Sequence, residues 1–474
     1  MINFLSEYQS SDKIALINED SKLSYGTLNS KIDQLLEKFK PKTIVILVCD
    51  NSIESIILYL ALLKVEAIPL LLNSALNQSE ILYYSDAYCA EKIISPFKID
   101  SLNIESIECY SHFSISQVKG FKLVDNYNQL ALLLTTSGST GSPKLVRISK
   151  DNIISNTESI INSLSITGKE RQITTLPMNY TYGLSCINTL LFSGGSIIVN
   201  KHSLVERSFW DLVAKYSPTT LAGVPYTYEM LYRIGLNKLS TTTINKFTQA
   251  GGQLNNDILH QFALFCQENN SQFFVMYGQT EATARMSCLP ANKLLKKIGS
   301  IGVAIPGGEF SINKNPIVSE QPFNYGIEGK VVGELVYNGS NVSLGYAESF
   351  DELDNKNTFN FTLHTGDLAW KDNENYVYIV GRLNRFAKIN GIRISLYDIE
   401  VILKNLGYIA AVISNDKKIT IFIETKLKQS DSLSIKEKLI KKTTIPPTAL
   451  LIKFIDVFPR NINGKIDYYR LASI

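Results

Sequence analysis

TIVILVCDNSIESIILYLALLKVEAIPLLL, residues 43–72, reads as a strand, a helix and a second strand. TIVILVC is an unbroken run of β-branched and leucine side chains, the pattern of a strand covered on both faces. SIESIILYLALLKV is helix-like and AIPLLL is strand-like again. The alternation continues outward through QSEILYYSDAY and KIIS, and from about residue 40 to 345 short apolar runs alternate with helical ones. Such a pattern predicts parallel strands joined by crossover helices, an α/β body.

With 474 residues the chain exceeds the roughly 250 to 300 at which one core stops growing, so two or more domains are expected. Near residue 381 the texture changes. GRLNRFAKINGIRIS leads into a helix (LYDIEVILKNL), two strands (YIAAVIS, KITIFIET), a helix (SIKEKLIKK) and a strand (ALLIKFIDVF). A boundary at Gly381 to Asn384 divides a large domain, residues 1–381, from a small α+β domain, residues 382–474.

The composition, 45% hydrophobic and 19% charged, is that of an ordinary globular protein. Its 47 basic and 44 acidic side chains are too balanced to point to nucleic acid or a membrane surface. Cys49, Cys89, Cys109, Cys186, Cys266 and Cys288 are scattered, without a CxxC pair, and read as reduced and mostly buried. No basic leader opens the chain and no uncharged apolar run is long enough for a bilayer, so a cytoplasmic protein without a membrane span is expected. Four histidines and no HExxH or His/Cys cluster argue against zinc. Any metal should be a hard ion held by carboxylate and phosphate.

QLALLLTT, residues 129–136, is strand-like and runs into Thr135-Thr-Ser-Gly-Ser-Thr-Gly-Ser-Pro-Lys144. Backbone N–H groups, hydroxyls and one lysine in such a loop can cradle polyphosphate. Pro143 and the missing GK[ST] ending separate it from a Walker A loop.

TTSGSTGSPK resembles the phosphate loop of the adenylate-forming family that includes acyl-CoA synthetases, nonribosomal peptide synthetase adenylation domains and firefly luciferase. The resemblance implies ATP contacts from Thr136, Ser137, Gly138, Ser139, Thr140, Gly141 and Lys144. Four further segments match that family in order. Tyr277-Gly278-Gln279-Thr280-Glu281 resembles the motif whose aromatic ring lies against adenine, whose threonine meets the α-phosphate and whose glutamate helps hold Mg²⁺. Asp367 in HTGDL resembles the ribose ligand, and Arg382 the arginine near the same ribose. Asn384 stands where the family usually has a hinge aspartate; asparagine tolerates unusual φ/ψ as well as aspartate does but carries no charge.

Asn461-Ile-Asn-Gly-Lys465 resembles the segment whose lysine bridges the acyl carboxylate and the α-phosphate, although taken alone it is a turn with a solvated lysine. Lys465, Thr280 and Glu281 are therefore the expected catalytic residues. Gly251-Gly252-Gln253 falls where the family has a glycine turn under adenine, and Gly345-Tyr346 also falls in register.

The resemblance implies a large domain of βα layers, a mobile small domain, and a two-step reaction. A carboxylate displaces pyrophosphate from MgATP to give acyl-AMP, and the thiol of coenzyme A or of phosphopantetheine on a separate carrier protein takes the acyl group. Tyr180, Tyr182 and Tyr226 are expected in the acyl pocket. Family members that activate α-amino acids usually place aspartate where this chain has Tyr180, which favours an acid without an α-ammonium group. The Lys436–Lys442 stretch could meet coenzyme A phosphates or an acidic carrier, or be a solvated helix face. An amino-acid-activating adenylation enzyme and a non-catalytic nucleotide-binding protein of the same fold remain alternatives from the sequence. The acid and the choice between coenzyme A and carrier stay open.

Overall fold

In a computed structural model of the chain, Ile44–Cys49 and Ile68–Asn73 are adjacent parallel strands, in register from Ile44 opposite Ile68 to Cys49 opposite Asn73. The crossover between them is the helix Ile53–Lys64. Ser52 caps it by accepting from the Ser55 N–H, and ten of its side chains are buried, which is why its sequence is apolar nearly all round. The structure describes residues 5, 7–8, 10–125, 129–135, 144–314, 330–383, 385–389, 392–415, 418–425, 432–442, 445–460 and 466–474, with side chains left out at 386, 388, 392, 393, 395, 398, 401, 405, 415, 441, 442 and 469.

Two compact units make up the chain, Met1–Glu309 with Asn338–Leu363, and Phe310–Tyr337 with His364–Ile474. The first contains two mixed sheets. In one, Leu130–Thr135, Ile68–Asn73, Ile44–Cys49 and Lys92–Ser95 form a parallel centre. In the other, six neighbouring strands from Ile14–Ile17 to Gln272–Tyr277 run parallel.

The edges depart from the expected all-parallel pattern. Ile104–Tyr110 and Phe113–Val118 form an antiparallel hairpin, because the two residues between them leave no room for a crossover. Ser287–Leu289 likewise pairs antiparallel with Gln272–Tyr277.

The second unit is built mainly on antiparallel pairing. A four-stranded sheet joins Gly308–Asn313, Gly333–Gly339, Thr362–Lys371 and Val377–Arg382. Further along, Ile409–Asn415 pairs antiparallel with Lys418–Glu424, which pairs parallel with Leu450–Ile455. Ile399, Leu403, Ile435 and Leu439, from the helices Leu396–Asn405 and Ser432–Lys442, share one core with Ile419, Ile421 and Ile423. All six cysteines are free thiols; Cys49, Cys266 and Cys288 are buried, but Cys109 is exposed on the edge hairpin. Its exposure departs from the buried reading, because the edge strand Ile104–Tyr110 is exposed at every position from Glu105 to Cys109.

Candidate active site

Arg171–Ile173, Thr220–Gly223, Lys246–Gln249 and Gln272–Tyr277 are neighbours and parallel, so they end on one side of their sheet. Each is followed by a segment singled out from the sequence: Tyr180 and Tyr182, then Pro225-Tyr226, then Gly251-Gly252-Gln253, then Gly278-Gln279-Thr280-Glu281. The carboxyl ends of parallel strands are where open α/β sheets bind ligands. Topology thus gathers four segments spread over a hundred residues of sequence.

The last of these turns is tightly built. A Cβ on Gly278 would lie 1.7 Å from the Ala284 carbonyl oxygen and 2.9 Å from the Arg285 Cα, so only glycine fits. Gln279 Nε2 donates to the Tyr277 hydroxyl at 3.1 Å. Asn341 Nδ2 donates to the carbonyls of Ala282 and Arg285, both at 2.9 Å, and Asn156 Nδ2 to that of Arg285 at 2.8 Å. Thr283, at φ +64°, donates through its hydroxyl to Asn341 O at 2.7 Å. These bonds hold Glu281 at a fixed height above the sheet end.

Glu281 meets Tyr346, whose hydroxyl donates to Glu281 Oε1 at 2.8 Å. Lys144, the last residue of the phosphate-loop sequence, places Nζ 3.6 Å from the centroid of the same ring. Tyr346–Ala347 pairs antiparallel with Leu145–Ser149, Ala347 opposite Leu145, and that register brings the ring beside Lys144. Burial, reinforced by the Glu281 charge and bond, raises the Tyr346 pKa, so its hydroxyl keeps the proton that it donates.

Arg147 anchors this arrangement. It is fully buried and donates to five carbonyls, those of Leu344 (2.8 Å), Tyr346 (3.1 Å), Leu353 (3.1 Å), Asn355 (2.6 Å) and Lys356 (3.2 Å). One guanidinium therefore clamps the turn on which Tyr346 is carried.

The tyrosines expected in the acyl pocket occupy different environments. Tyr182 is buried, with its hydroxyl 2.7 Å from Thr248 O and 2.9 Å from Thr248 Oγ1. Tyr180 lies against Gly251, where a Cβ would come within 2.6 Å of the tyrosine hydroxyl. Tyr226 is 40% exposed on the first turn of the helix Pro225–Ile234. Gln249 Nε2 donates to Gly252 O at 2.8 Å and pins the glycine turn.

In the second unit, Asp367 and Arg382 face each other across antiparallel strands, and Arg382 Nε donates to Asp367 Oδ1 at 2.8 Å. Asp367 is buried whereas the arginine head is 61% exposed, so the aspartate is held and the guanidinium reaches outward. Just past position 384, Arg385 is fixed by Glu400 at 2.8 and 3.0 Å and by Val412 O at 2.9 Å. Thr136, Ser137, Gly138, Ser139, Thr140, Gly141, Asn384 and Lys465 lie outside the described residues.

The family model described as AMP-binding enzyme matches residues 6–347. The chain belongs to the AMP-binding enzyme family. Among curated proteins, this AMP-binding enzyme is 24% identical over 405 residues to the 2-succinylbenzoate–CoA ligase of Bacillus cytotoxicus, covering 83% of the chain and 80% of that protein. It is 27% identical over 370 residues to the D-alanine–D-alanyl carrier protein ligase of Staphylococcus aureus, covering 73% and 72%. Among solved structures, the o-succinylbenzoate CoA synthetase of Bacillus subtilis in complex with its acyl-adenylate intermediate superposes with a TM-score of 0.77 at 20% identity, over 99% of this chain and 98% of that one. The α/β fold with its large N-terminal and small C-terminal parts is therefore that of the adenylate-forming enzymes.

Two residues of the AMP-binding enzyme's site escaped the sequence reading. Tyr346 was visible only as part of a glycine–tyrosine match, and Arg147 only as a charge inside the apolar strand LVRIS. A buried-strand pattern interrupted by arginine is itself a signal, because such a charge has to find partners. Tyr346→Phe removes one bond to a carboxylate, worth about 1.5–3 kcal/mol. We expect the KM for MgATP to rise roughly tenfold or more, with the melting temperature falling by about 3–10 °C. Steady-state kinetics at varied MgATP checks this, and an unchanged KM would show that the hydroxyl does not position Glu281.

Proposed function

We propose that the chain is an ATP-dependent, AMP-forming acid–thiol ligase. The observation that carries the reading is the meeting of Lys144 and Glu281 at Tyr346, beside the ends of four parallel strands that present the glycine turn and the tyrosine pocket. A cation from the phosphate loop and a carboxylate held by a hydroxyl suit a nucleotide triphosphate with its metal. Mg²⁺ keeps several waters and takes few protein ligands, so one carboxylate beside the phosphates fits it, and when bound it offsets phosphate charge. The similar proteins named above join an acid to coenzyme A or to a carrier protein, which supports thiol acceptance here.

In the proposed first step a substrate carboxylate oxygen attacks the α-phosphorus of ATP and pyrophosphate leaves. Thr280 meets the α-phosphate, Glu281 serves the metal, Tyr277 and Gly251-Gly252-Gln253 frame adenine, and Asp367 with Arg382 holds the ribose. Lys465 places a cation between the two reacting anions. In the second step the sulfur of coenzyme A, or of pantetheine on a separate carrier, attacks the acyl carbon and AMP leaves with the bonding pair. No side-chain nucleophile takes part. Residues 382–474 would turn about Asn384 between the steps. We place the enzyme in the cytoplasm, where ATP and such thiols occur; among the described residues no helix is long and apolar enough to cross a membrane.

Tyr180 supports an acid without an α-ammonium group, since burial raises its pKa and keeps its hydroxyl neutral. Gly251 is at φ +86°, and a methyl there would collide with Tyr180 Oη and approach Val224 Cγ1 to 3.2 Å. Gly251→Ala is expected to destabilise the large unit by about 1–2 kcal/mol and to raise the KM for the acid. Urea midpoints and initial rates at varied acid check it; an unchanged acid KM would remove Tyr180 from the pocket.

The test of the reading is ATP–pyrophosphate exchange with Mg²⁺ across fatty, aryl, hydroxy and amino acids. Exchange with one class, followed by AMP release only when a pantetheine thiol is added, is the expected result. Nucleotide binding without exchange for any acid would favour a non-catalytic protein of this fold.

A further inference from the structure

Arg285 lies four residues beyond Glu281 and is 2% exposed. Its backbone is locked, with the N–H donating to Asn156 Oδ1 at 3.3 Å and the carbonyl accepting from Asn156 and Asn341. The turn at Gly278 packs directly on its Cα. The side chain crosses to the helix Thr181–Phe192, where Nη1 donates to Ser185 Oγ at 2.7 Å and the guanidinium carbon sits 3.7 Å above the Tyr182 ring.

That is a poor complement for a buried guanidinium. Among the described residues no carboxylate lies within ion-pair distance of Arg285, and its Nε is buried with no hydrogen-bond partner. A hydroxyl and a ring face do not offset the desolvation of a full charge, and arginine cannot escape by giving up its proton as a lysine does. Arg147 shows what this fold does when an arginine is purely structural: it surrounds the group with five carbonyls. Arg285 has no such shell.

The side chain instead lines a narrow recess together with Ile160, Ser185, Cys186, Glu170 and Lys246. Glu170 is committed, with Lys246 Nζ 3.0 Å from Oε1 and the Thr167 N–H and hydroxyl on Oε2 at 2.7 and 2.8 Å. Lys246 also donates to Leu164 O at 3.0 Å. Two cations and one anion leave the recess one positive charge in excess. Tyr180, against the glycine turn, is 6.3 Å ring to ring from Tyr182, so the guanidinium lies just behind the expected acyl pocket.

We propose that Arg285 receives a second carboxylate of the acid substrate, which makes the preferred substrate a dicarboxylic acid activated at the carboxylate remote from Arg285. The inference rests on the adenylation reading above and specifies its substrate class. A planar guanidinium with Nε buried but unbonded and Nη1 on a serine has the paired donors that a carboxylate takes. Binding it would neutralise the recess and satisfy the orphaned Nε, whereas an acid with an uncharged tail would leave both unmet.

The experiment compares acids of matched skeleton in ATP–pyrophosphate exchange: succinate with butyrate, glutarate with pentanoate, phthalate with 2-methylbenzoate. We expect the dicarboxylate of at least one pair to exceed its partner in kcat/KM by on the order of a hundredfold, and Arg285→Gln to collapse that ratio. Preference for the uncharged tails, or a ratio that survives Arg285→Gln, overturns the assignment while leaving adenylation intact. Because the variant could fold poorly, calorimetric titration of the unaltered chain with the same acids is run beside it. Dicarboxylate binding well above that of the matched monocarboxylate, without exchange, would uphold a second-carboxylate site and sink the adenylation reading. Absence of both binding and exchange overturns both.

Discussion

Lys465→Ala is expected to slow ATP–pyrophosphate exchange by on the order of 10²–10³-fold, the usual consequence of removing one group aimed at developing charge. The first half-reaction brings a carboxylate against a phosphate. At 4 Å two unit charges repel by about 1 kcal/mol in water and about 4 kcal/mol at the effective dielectric near a protein surface. A cation between them reverses that sign and gains further as negative charge builds on the equatorial oxygens. Nothing comparable arises in the second half-reaction, where a thiol attacks an acyl carbon. Chemically prepared acyl-AMP offered with a thiol should therefore be consumed by Lys465→Ala at within about threefold of the wild-type rate. The split between half-reactions is the diagnostic readout. Exchange at the wild-type rate would take Lys465 out of the chemistry, and equal loss in both steps would point to a folding defect.

How far a feature is legible in the sequence depends on how local it is. Ile44–Cys49, its crossover helix and Ile68–Asn73 were legible because pattern and length separate strand from helix without outside information. Tyr277–Glu281 and Asp367 stand out in the sequence as contiguous motifs. Arg147 does not, because the carbonyls it holds lie 197 to 209 residues away along the chain. The pairing of Asp367 with Arg382 depends on a strand register with a bulge at Leu368/Ala369, which no motif encodes. The antiparallel edge hairpins were hidden for a related reason, since apolar alternation reports a strand but not the direction of its neighbour. Arg285 illustrates both limits. Its position after TEATA is local, but its want of a counter-charge is a property of everything packed around it.

Arg147→Met should be among the most destabilising single changes in the large unit. Methionine fills much of the same space, so the loss is of donors rather than volume. Five carbonyls, from Leu344 to Lys356, would lose a donor at once, although Leu344 O keeps the Thr358 N–H at 3.0 Å. Each buried acceptor left unmet costs about 1–3 kcal/mol, and local relaxation with entry of water recovers part of the sum, so a net loss of roughly 3–5 kcal/mol is expected. At about 2–4 °C per kcal/mol the melting temperature should fall by on the order of 10 °C. Exchange activity should fall too, because the clamped turn carries the Tyr346 that bonds Glu281 and flanks Lys144. Tyr346→Phe separates the two consequences by weakening the Glu281 contact while the clamp stays intact. Arg147→Lys is expected to fall between, since one ammonium cannot span carbonyls that the guanidinium reaches from three nitrogens. A melting temperature within about 2 °C of wild type for Arg147→Met would mean that the turn satisfies its own carbonyls, and the positioning of Glu281 would then have to be sought in Asn156 and Asn341 instead.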